Sequence, residues 1–531
     1  MKIFKYIVWS LLLFFTVFYF LPAGLLKLPA VQKKISKEVA SYLENKLGTE
    51  ASIERVDFAL FNQLIIKNVY LEDQSESVLL QAKRLSAGFE ILPLLKKRVR
   101  IHSLQFYTFE CNLSKETDDA PLNIQYVIDA FSSNNEKKEK TAVDLKINTI
   151  NFRRGNFSFQ VKDAPVTPGK FNSKDIQMKD FSAKIHLNKL TLQELDVKVN
   201  RLSFTEQSGF SLKRLSFDLI SDENSTRINQ LFLKLNKTNL QLKDIFAEYP
   251  ILSGRDKDLK DVSFQMEIEP SKIYPREISA ILPVFAQFVG KVDLSGIING
   301  TPDDLRLTDF FVREPDFSIH TNVEIKNLIT TPHDLYLKGS VRDTYIAPDG
   351  LDRLLNNFRE EQIILPPAIR NMETLFIQAN FEGSSSNFLF RGNLDSAIGS
   401  LDANLNMGGL EKPFIKGYAS SSSLDLGIFL NNTDFGAVSF EVQLDAKQGI
   451  NNRIEGDIDA TIGHFFYKQH RYDNLLVDGE FSSEHFKGIL DFDSPEGKIK
   501  AEGLFAFRDD NSNFQFHAEI DNIQLDKLNL T

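Results

Sequence analysis

From Ala51 to the end of the chain, apolar and polar residues alternate with a period of two. Val262, Phe264, Met266 and Ile268 form one such series, and Ile454, Ile458 and Ile462, with Gly456 and Ala460 between them, form another. Phe486, Leu490 and Phe492, with Gly488 between, form a third. The intervening positions are mostly Asp, Asn, Ser, Lys, Glu or Gln, so each segment reads as a strand with one greasy and one wet side. Turn signals recur at Arg154-Gly155-Asn156, Thr301-Pro302-Asp303-Asp304, Glu382-Gly383-Ser384 and Asp509-Asp510-Asn511. They predict neighbouring strands joined as antiparallel meanders. Helix-like pieces are few: Leu122 to Phe131, Arg276 to Phe288, and Leu351 to Phe358 with Asp349 as N-cap candidate. Asn134 to Lys140, polar and charged throughout, reads as a linker.

The amino terminus breaks this pattern. Ile7 to Phe20 is apolar apart from Ser10 and Thr16, and Leu21 to Leu26 extends the run to about 20 residues, the length of a bilayer-crossing helix. Lys2 and Lys5 precede it, which predicts a cytoplasmic amino terminus and an extracytoplasmic bulk. A cleaved signal peptide shares the charged start and apolar core, and Pro22 and Gly24 could mark its end. Leu21 and Leu28, however, stand where the cleavage region wants small residues, which favours an uncleaved anchor. Next, Val31, Ile35, Val39, Leu43 and Leu47 recur every four residues among Lys33, Lys34, Lys37, Glu38 and Lys46, with Gly48 as C-cap candidate. This amphipathic helix either lies as a lid on the first sheet or rests on the membrane surface.

With so few helices, a long one-sided sheet must hide its apolar face by pairing as sandwiches, by closing into a barrel, or by curling around an apolar channel. A transmembrane barrel is disfavoured by the helical anchor and the modest tyrosine content. At roughly 14 residues per strand and turn, residues 141 to 531 would hold about 28 strands and extend on the order of 100 Å at the usual strand spacing.

Composition sharpens this picture. Phe accounts for 45 residues against one Trp and 13 Tyr, so the apolar surface is built from rings with no polar handle, suited to hydrocarbon or to a plain core. A net charge of −10 gives no global attraction for nucleic acid. The single cysteine, Cys111, cannot form an internal disulfide and reads as a small apolar strand residue. The eight histidines have no metal-ligand spacing, and no nucleophile elbow, phosphate-binding loop or dinucleotide fingerprint occurs. Pairs such as Asp303-Asp304 sit in turns, where Asp caps backbone groups. Accordingly no catalytic, cofactor or metal site is assigned, and the expectation is a non-enzyme. The sharpest charge cluster is Lys96, Lys97, Arg98 and Arg100, either a headgroup contact or a solvated hairpin that blunts a sheet edge. The candidate lipid-groove lining is Phe264, Met266, Ile319, Val323, Phe440, Val442, Leu444, Phe514 and Phe516.

The order of features resembles the TamB branch of the AsmA-like proteins. The resemblance rests on the anchor and Leu28-Pro29-Ala30-Val31-Gln32, on Lys46-Leu47-Gly48-Thr49, and on the strand pair Ile53 to Leu60 and Leu64 to Leu71. It is also carried by the segments Phe61 to Asp73, Ile91 to Ile101, Tyr467 to Leu475 and Ile520 to Asp526, and by Gly479, Gly488 and Gly503 in successive strands. The resemblance implies a mainly β fold: a transmembrane helix, then a long antiparallel sheet curled into an apolar groove, a β-taco, with few short helices. It implies residues 1–27 as cytoplasmic tip and inner-membrane anchor, 28–48 as amphipathic helix, 49–133 as an AsmA-like β module, 134–140 as linker and 141–531 as periplasmic groove. Phospholipids are the implied partners, in lipid transport to the outer membrane of a Gram-negative envelope. Assembly of outer-membrane proteins with an Omp85-type barrel, without lipid conduction, is the implied alternative. Family members usually continue to a carboxy-terminal domain that meets the barrel, and this sequence ends at Thr531 after a strand-like stretch.

Overall fold

The computed structural model describes residues 9–10, 13, 28–59, 62–90, 99–131, 143–165, 167, 170–190, 194–249, 262–288, 290–356, 364–409, 412–449, 453–495, 497–506 and 513–524. Most of the apolar stretch at 7–26, Lys96, Lys97 and Arg98, the turn at 509–511 and the linker 134–140 lie outside them. Among the described residues, no helix is long and apolar enough to cross a membrane.

The chain is mainly β, with 25 strands among the described residues in a mixed sheet that does not close: the first strand pairs with the second and the last with the one before it. Residues 141 onward contribute 21 of these strands, fewer than the spacing of turns suggests, because strands such as Val143–Val161 run through positions that read as turns. The chain divides into two units, Met1–Lys243 with Tyr274–Ala286, and Asp244–Ile273 with Gln287–Thr531.

In the first unit, helix α1 (Pro29–Leu47) ends at Gly48, whose φ of 72° places it in the left-handed region, with its N–H on the Glu44 carbonyl at 2.7 Å. The helix packs on strand β1 (Ala51–Ala59), as a lid would. Its buried face includes Gln32 and Ser36 beside Leu47, because the Gln32 amide donates to Asp57 Oδ1 at 2.6 Å. Strands β1, β2 (Gln63–Glu72), β3 (Val78–Phe89) and β4 (Val99–Lys115) form an antiparallel meander.

The next pairing departs from the expected meander: β4 and β5 (Val143–Val161) are parallel. A parallel pair needs a crossover, and helix α2 (Gln125–Phe131) lies within it. The expected linker at 134–140 therefore falls between two strands of a single unit. Asn123 holds the start of the crossover by accepting from the Ser114 N–H at 3.0 Å and donating to Asp73 Oδ2 at 2.9 Å. Asp73, 4% exposed, also accepts the Ser75 and Ser77 N–H groups at 2.8 and 3.0 Å. Burial pushes its pKa up, but the bonds from Asn123, Ser77 and Ser75 outweigh this and leave it below the ordinary value. A depressed carboxyl adds stability that is present above its unfolded pKa, near 4, and lost as pH falls through the folded value. The thermal midpoint of wild type should therefore exceed that of Asp73→Asn near pH 5, and the gap should shrink toward pH 3. A pH-independent gap would contradict the assignment.

From β5 the first unit continues antiparallel through β6 (Asp175–Leu190), β7 (Leu195–Glu206), β8 (Ser211–Ser221) and β9 (Ser225–Lys234). Arg154-Gly155-Asn156, expected as a turn, lies inside β5. The pairing register shifts on both sides of Gly155, and Arg154 has a φ of 53°, so the glycine marks a bulge. Its cause is packing: a Cβ on Gly155 would sit 2.0 Å from the Phe109 ring. That ring belongs to a phenylalanine series in which Phe106 stacks on Phe152 at 5.0 Å, Phe109 meets Phe152 at 5.3 Å, and Phe181 lies 5.7 Å from Phe152 and 6.4 Å from Phe204. Cys111 on β4 stands opposite Leu80 and Phe157, and burial pushes its thiol up to about 11, as a small apolar residue would behave. Instead of the helix expected over Arg276 to Phe288, two short 3-10 turns form, Pro275–Ile278 and Pro283–Phe285, each started by a proline.

Strand β10 (Asn239–Glu248) carries the boundary between the units. In the second unit, strands β11 to β25 pair in unbroken sequence order, all antiparallel. Among the described residues three short α-helices interrupt them: α3 (Pro348–Asn356), near the expected piece at 351–358, α4 (Pro367–Asn371) and α5 (Leu426–Leu430). Arg353 on α3 reaches Glu314, 3% exposed at its side chain, and Asp316 in the turn after β13 (Leu305–Glu314), which fixes the helix to the end of that strand. The expected turn at Thr301–Asp304 joins β12 (Val292–Gly300) to β13, whereas Glu382–Ser384, expected as a turn, are the last paired residues of β16 (Leu375–Ser384), and the turn falls on Ser385 and Ser386.

Candidate functional site

The register of the second unit decides which apolar residues share a face. Met266 on β11 (Ser263–Ile273) opposes Ile298, which opposes Leu307, and Leu307 opposes Val323 on β14 (Phe317–Lys326). The same row runs through Gly339 to Phe381, Phe390, Leu405 and Gly417, then to Leu444 on β20 (Phe435–Gln448). It ends through Ile458, Gly479, Gly488 and Gly503 at Phe516 on β25 (Asn513–Asp521). Fifteen strands contribute, and every position is apolar or glycine. Phe264 begins the neighbouring row on one side and Phe514 closes it.

On the other side lies a row of smaller residues: Val341, Ala379, Gly392, Ala403, Ala419, Val442, Ala460, Val477, Leu490, Ala501 and Ala518. Beyond it comes a bulky row, Phe440, Ile462, Leu475, Phe492, Ile499 and Ile520. Rows two residues apart along a strand are separated by roughly 7 Å. The row of smaller residues is a floor beside the larger side chains of Phe381, Phe390, Leu405, Leu444, Ile458 and Phe516, whereas Gly339, Gly417, Gly479, Gly488 and Gly503 stand beside larger floor residues. Ala379, Ala403, Ala460 and Ala501 on the floor are 4 to 7% exposed, whereas Leu444, Val323, Met266 and Phe440 are half-buried and Phe514 and Phe516 about half exposed. Ile319 lies four residues from Val323 on β14, in the same phase of the two-residue alternation, where the pairing with β13 shifts between Leu307 and Phe310 and that with the next strand between Ser318 and His320. All nine groove candidates thus stand on one apolar face of the second unit.

The opposite face is polar and cross-braced. Arg306 pairs with Glu324 at 2.6 Å, Lys338 with Glu382 at 3.1 Å and Lys416 with Asp445 at 2.5 Å, each across neighbouring strands. At a bulge on β13, where Asp309 has a φ of 49°, its carboxylate is gripped by His320 Nε2 at 2.8 Å and by Arg342, and the histidine bond holds its carboxyl below the ordinary range. Two concavities of about 620 and 610 Å³ lie against this face.

Of the basic cluster, Arg100 is described: it lies on β4 and pairs with Glu90 at 3.3 Å. Among the described residues, no group of three His, Cys, Asp or Glu side chains is arranged to hold a metal ion.

No family model, no curated protein and no solved structure matches this chain.

Proposed function

We propose that the apolar face of the second unit holds the acyl chains of phospholipids, and that the protein supports lipid movement between the two membranes of a Gram-negative envelope. The observation that carries this reading is the register: fifteen successive strands place apolar residues or glycines in a continuous row, beside which four floor alanines are buried and the larger side chains half-buried. A face packed as an ordinary core would bury its large side chains at least as well as its small ones. Here Met266, Val323, Phe440 and Leu444 are only half-buried and Phe514 and Phe516 are about half exposed, as walls that await hydrocarbon would be. A methylene chain needs no polar partner, and burial of each CH₂ is worth about 0.8 kcal/mol, so a few rows suffice to retain one.

The charged start, the apolar stretch at 7–26 and the sheet order fit a TamB- or AsmA-like arrangement: an inner-membrane anchor with cytoplasmic amino terminus, and a periplasmic sheet curled into a groove. An Omp85-type barrel partner belongs to the same reading.

The test is directional. A photoreactive phenylalanine analogue at Leu444 or Val442 should crosslink to phospholipid when the protein is irradiated in its membrane. The same probe at Gln443, on the opposite face of the same strand, should not. Equal yields at all three positions, or none at any, would overturn the proposal.

A further inference from the structure

We propose a second binding site, on the polar face of the second unit, for a sugar unit that carries a phosphate or carboxylate. It stands independently of the lipid reading. The two concavities against this face adjoin, sharing Ser340, Asn380, Arg391 and Asn404, so they form one trough over β13 to β19 (Phe414–Asp425). Register places Asn380, Arg391, Asn404, Tyr418 and Gln443 in one row across five strands, and all five are exposed.

Charge singles out Arg391. The other cations lining the trough each have a carboxylate: Arg306 has Glu324, Lys338 has Glu382, and Arg342 has Asp309. Arg391 instead meets the amide oxygen of Asn404, at 3.4 Å. A guanidinium on a neutral partner keeps donors for a bidentate anion, and its fork geometry suits phosphate or carboxylate.

Tyr418 supplies a second, independent feature. It is 37% exposed and lines the trough in the polar phase of its strand, between Gly417 and Ala419 of the apolar face. An aromatic ring with an apolar face and a hydroxyl tip, one strand beyond Asn404, offers a flat surface for the C–H face of a pyranose. The flanking amides of Asn380, Asn404 and Gln443 both donate and accept, as ring hydroxyls require. An isolated inorganic anion would use only the arginine; the ring and the amides call for a polyol attached to it. Because the trough lies opposite the apolar rows, its ligand is a water-soluble glycan and not the sugar end of a lipid seated in the groove.

The test is saturation-transfer NMR on the full chain with three probes: glucose 6-phosphate, methyl glucoside and inorganic phosphate. Glucose 6-phosphate should show transfer to its ring protons and bind at least about tenfold more tightly than either of the others. Arg391→Gln should reduce its affinity to that of methyl glucoside, and Tyr418→Ser should remove the ring-proton transfer. Lys487→Gln, on the same face several strands away, should change nothing. Unchanged circular dichroism and melting of the variants establish that the losses are local. The proposal is overturned by absence of transfer from glucose 6-phosphate, by phosphate binding as tightly as the sugar phosphate, or by folded Arg391 and Tyr418 variants that bind like wild type.

Discussion

Leu444→Asp is expected to lower phospholipid transfer between donor and acceptor vesicles by at least about tenfold, while Gln443→Asp on the same strand leaves it near wild type. Leu444 lies inside the apolar row, between Gly417 and Ile458, and is half-buried. A carboxylate there would meet hydrocarbon whenever an acyl chain passed, and an unpaired charge in that setting costs several kcal/mol. Gln443 already faces water, so a charge beside it adds little. If the face were instead a packed core, Leu444→Asp would unfold the protein, and its circular dichroism and expression would fall with activity. A folded Leu444→Asp that transfers lipid normally would remove the groove from the account.

The second large effect belongs to the first unit. Phe109 is 4% exposed and touches Phe152 and Phe181 at ring separations of 5.3 and 6.2 Å. Phe109→Ala should destabilise the unit by about 3 to 5 kcal/mol, the usual range for removing a buried ring. Gly155→Ala should cost about 1 to 3 kcal/mol or more, since its new methyl would overlap that ring. The two changes meet at one point in space: the cavity left by the ring is where the methyl must go. The double variant should therefore be less destabilised than the sum of the singles by more than about 0.5 kcal/mol in denaturant melts. Strict additivity would mean that Gly155 is needed for its backbone alone.

These cases show where sequence reasoning reached and where it stopped. Alternation identified the strands and their apolar phase, because the two-residue period is local. For that reason Phe264, Met266, Val323 and Leu444, chosen strand by strand, share one face. The register that joins them into rows depends on partners tens of residues away and is not written in any one segment. The same limit explains the parallel β4 and β5 pair, since nothing local distinguishes a crossover from a hairpin when helix α2 is only seven residues long. Gly155 was misleading in a different way. Glycine between Arg154 and Asn156 has the composition of a turn, but here its missing side chain makes room for a ring 46 residues earlier. The prolines at 275 and 283 began helical turns that did not propagate, an outcome set by the surroundings and not by propensity. The polar trough was invisible for a simpler reason. Asn, Arg and Gln in the polar phase look like solvated surface until register sets them side by side. Tyr418, an aromatic in that phase, and Leu389, 48% exposed in the same phase, are the local signals.

The most direct test of the central claim is native mass spectrometry of the full chain released from membranes in mild detergent, with lipids extracted from the same sample. The account predicts several phospholipids per chain in wild type and their loss in Leu444→Asp. A folded wild-type chain that carries no lipid would contradict it.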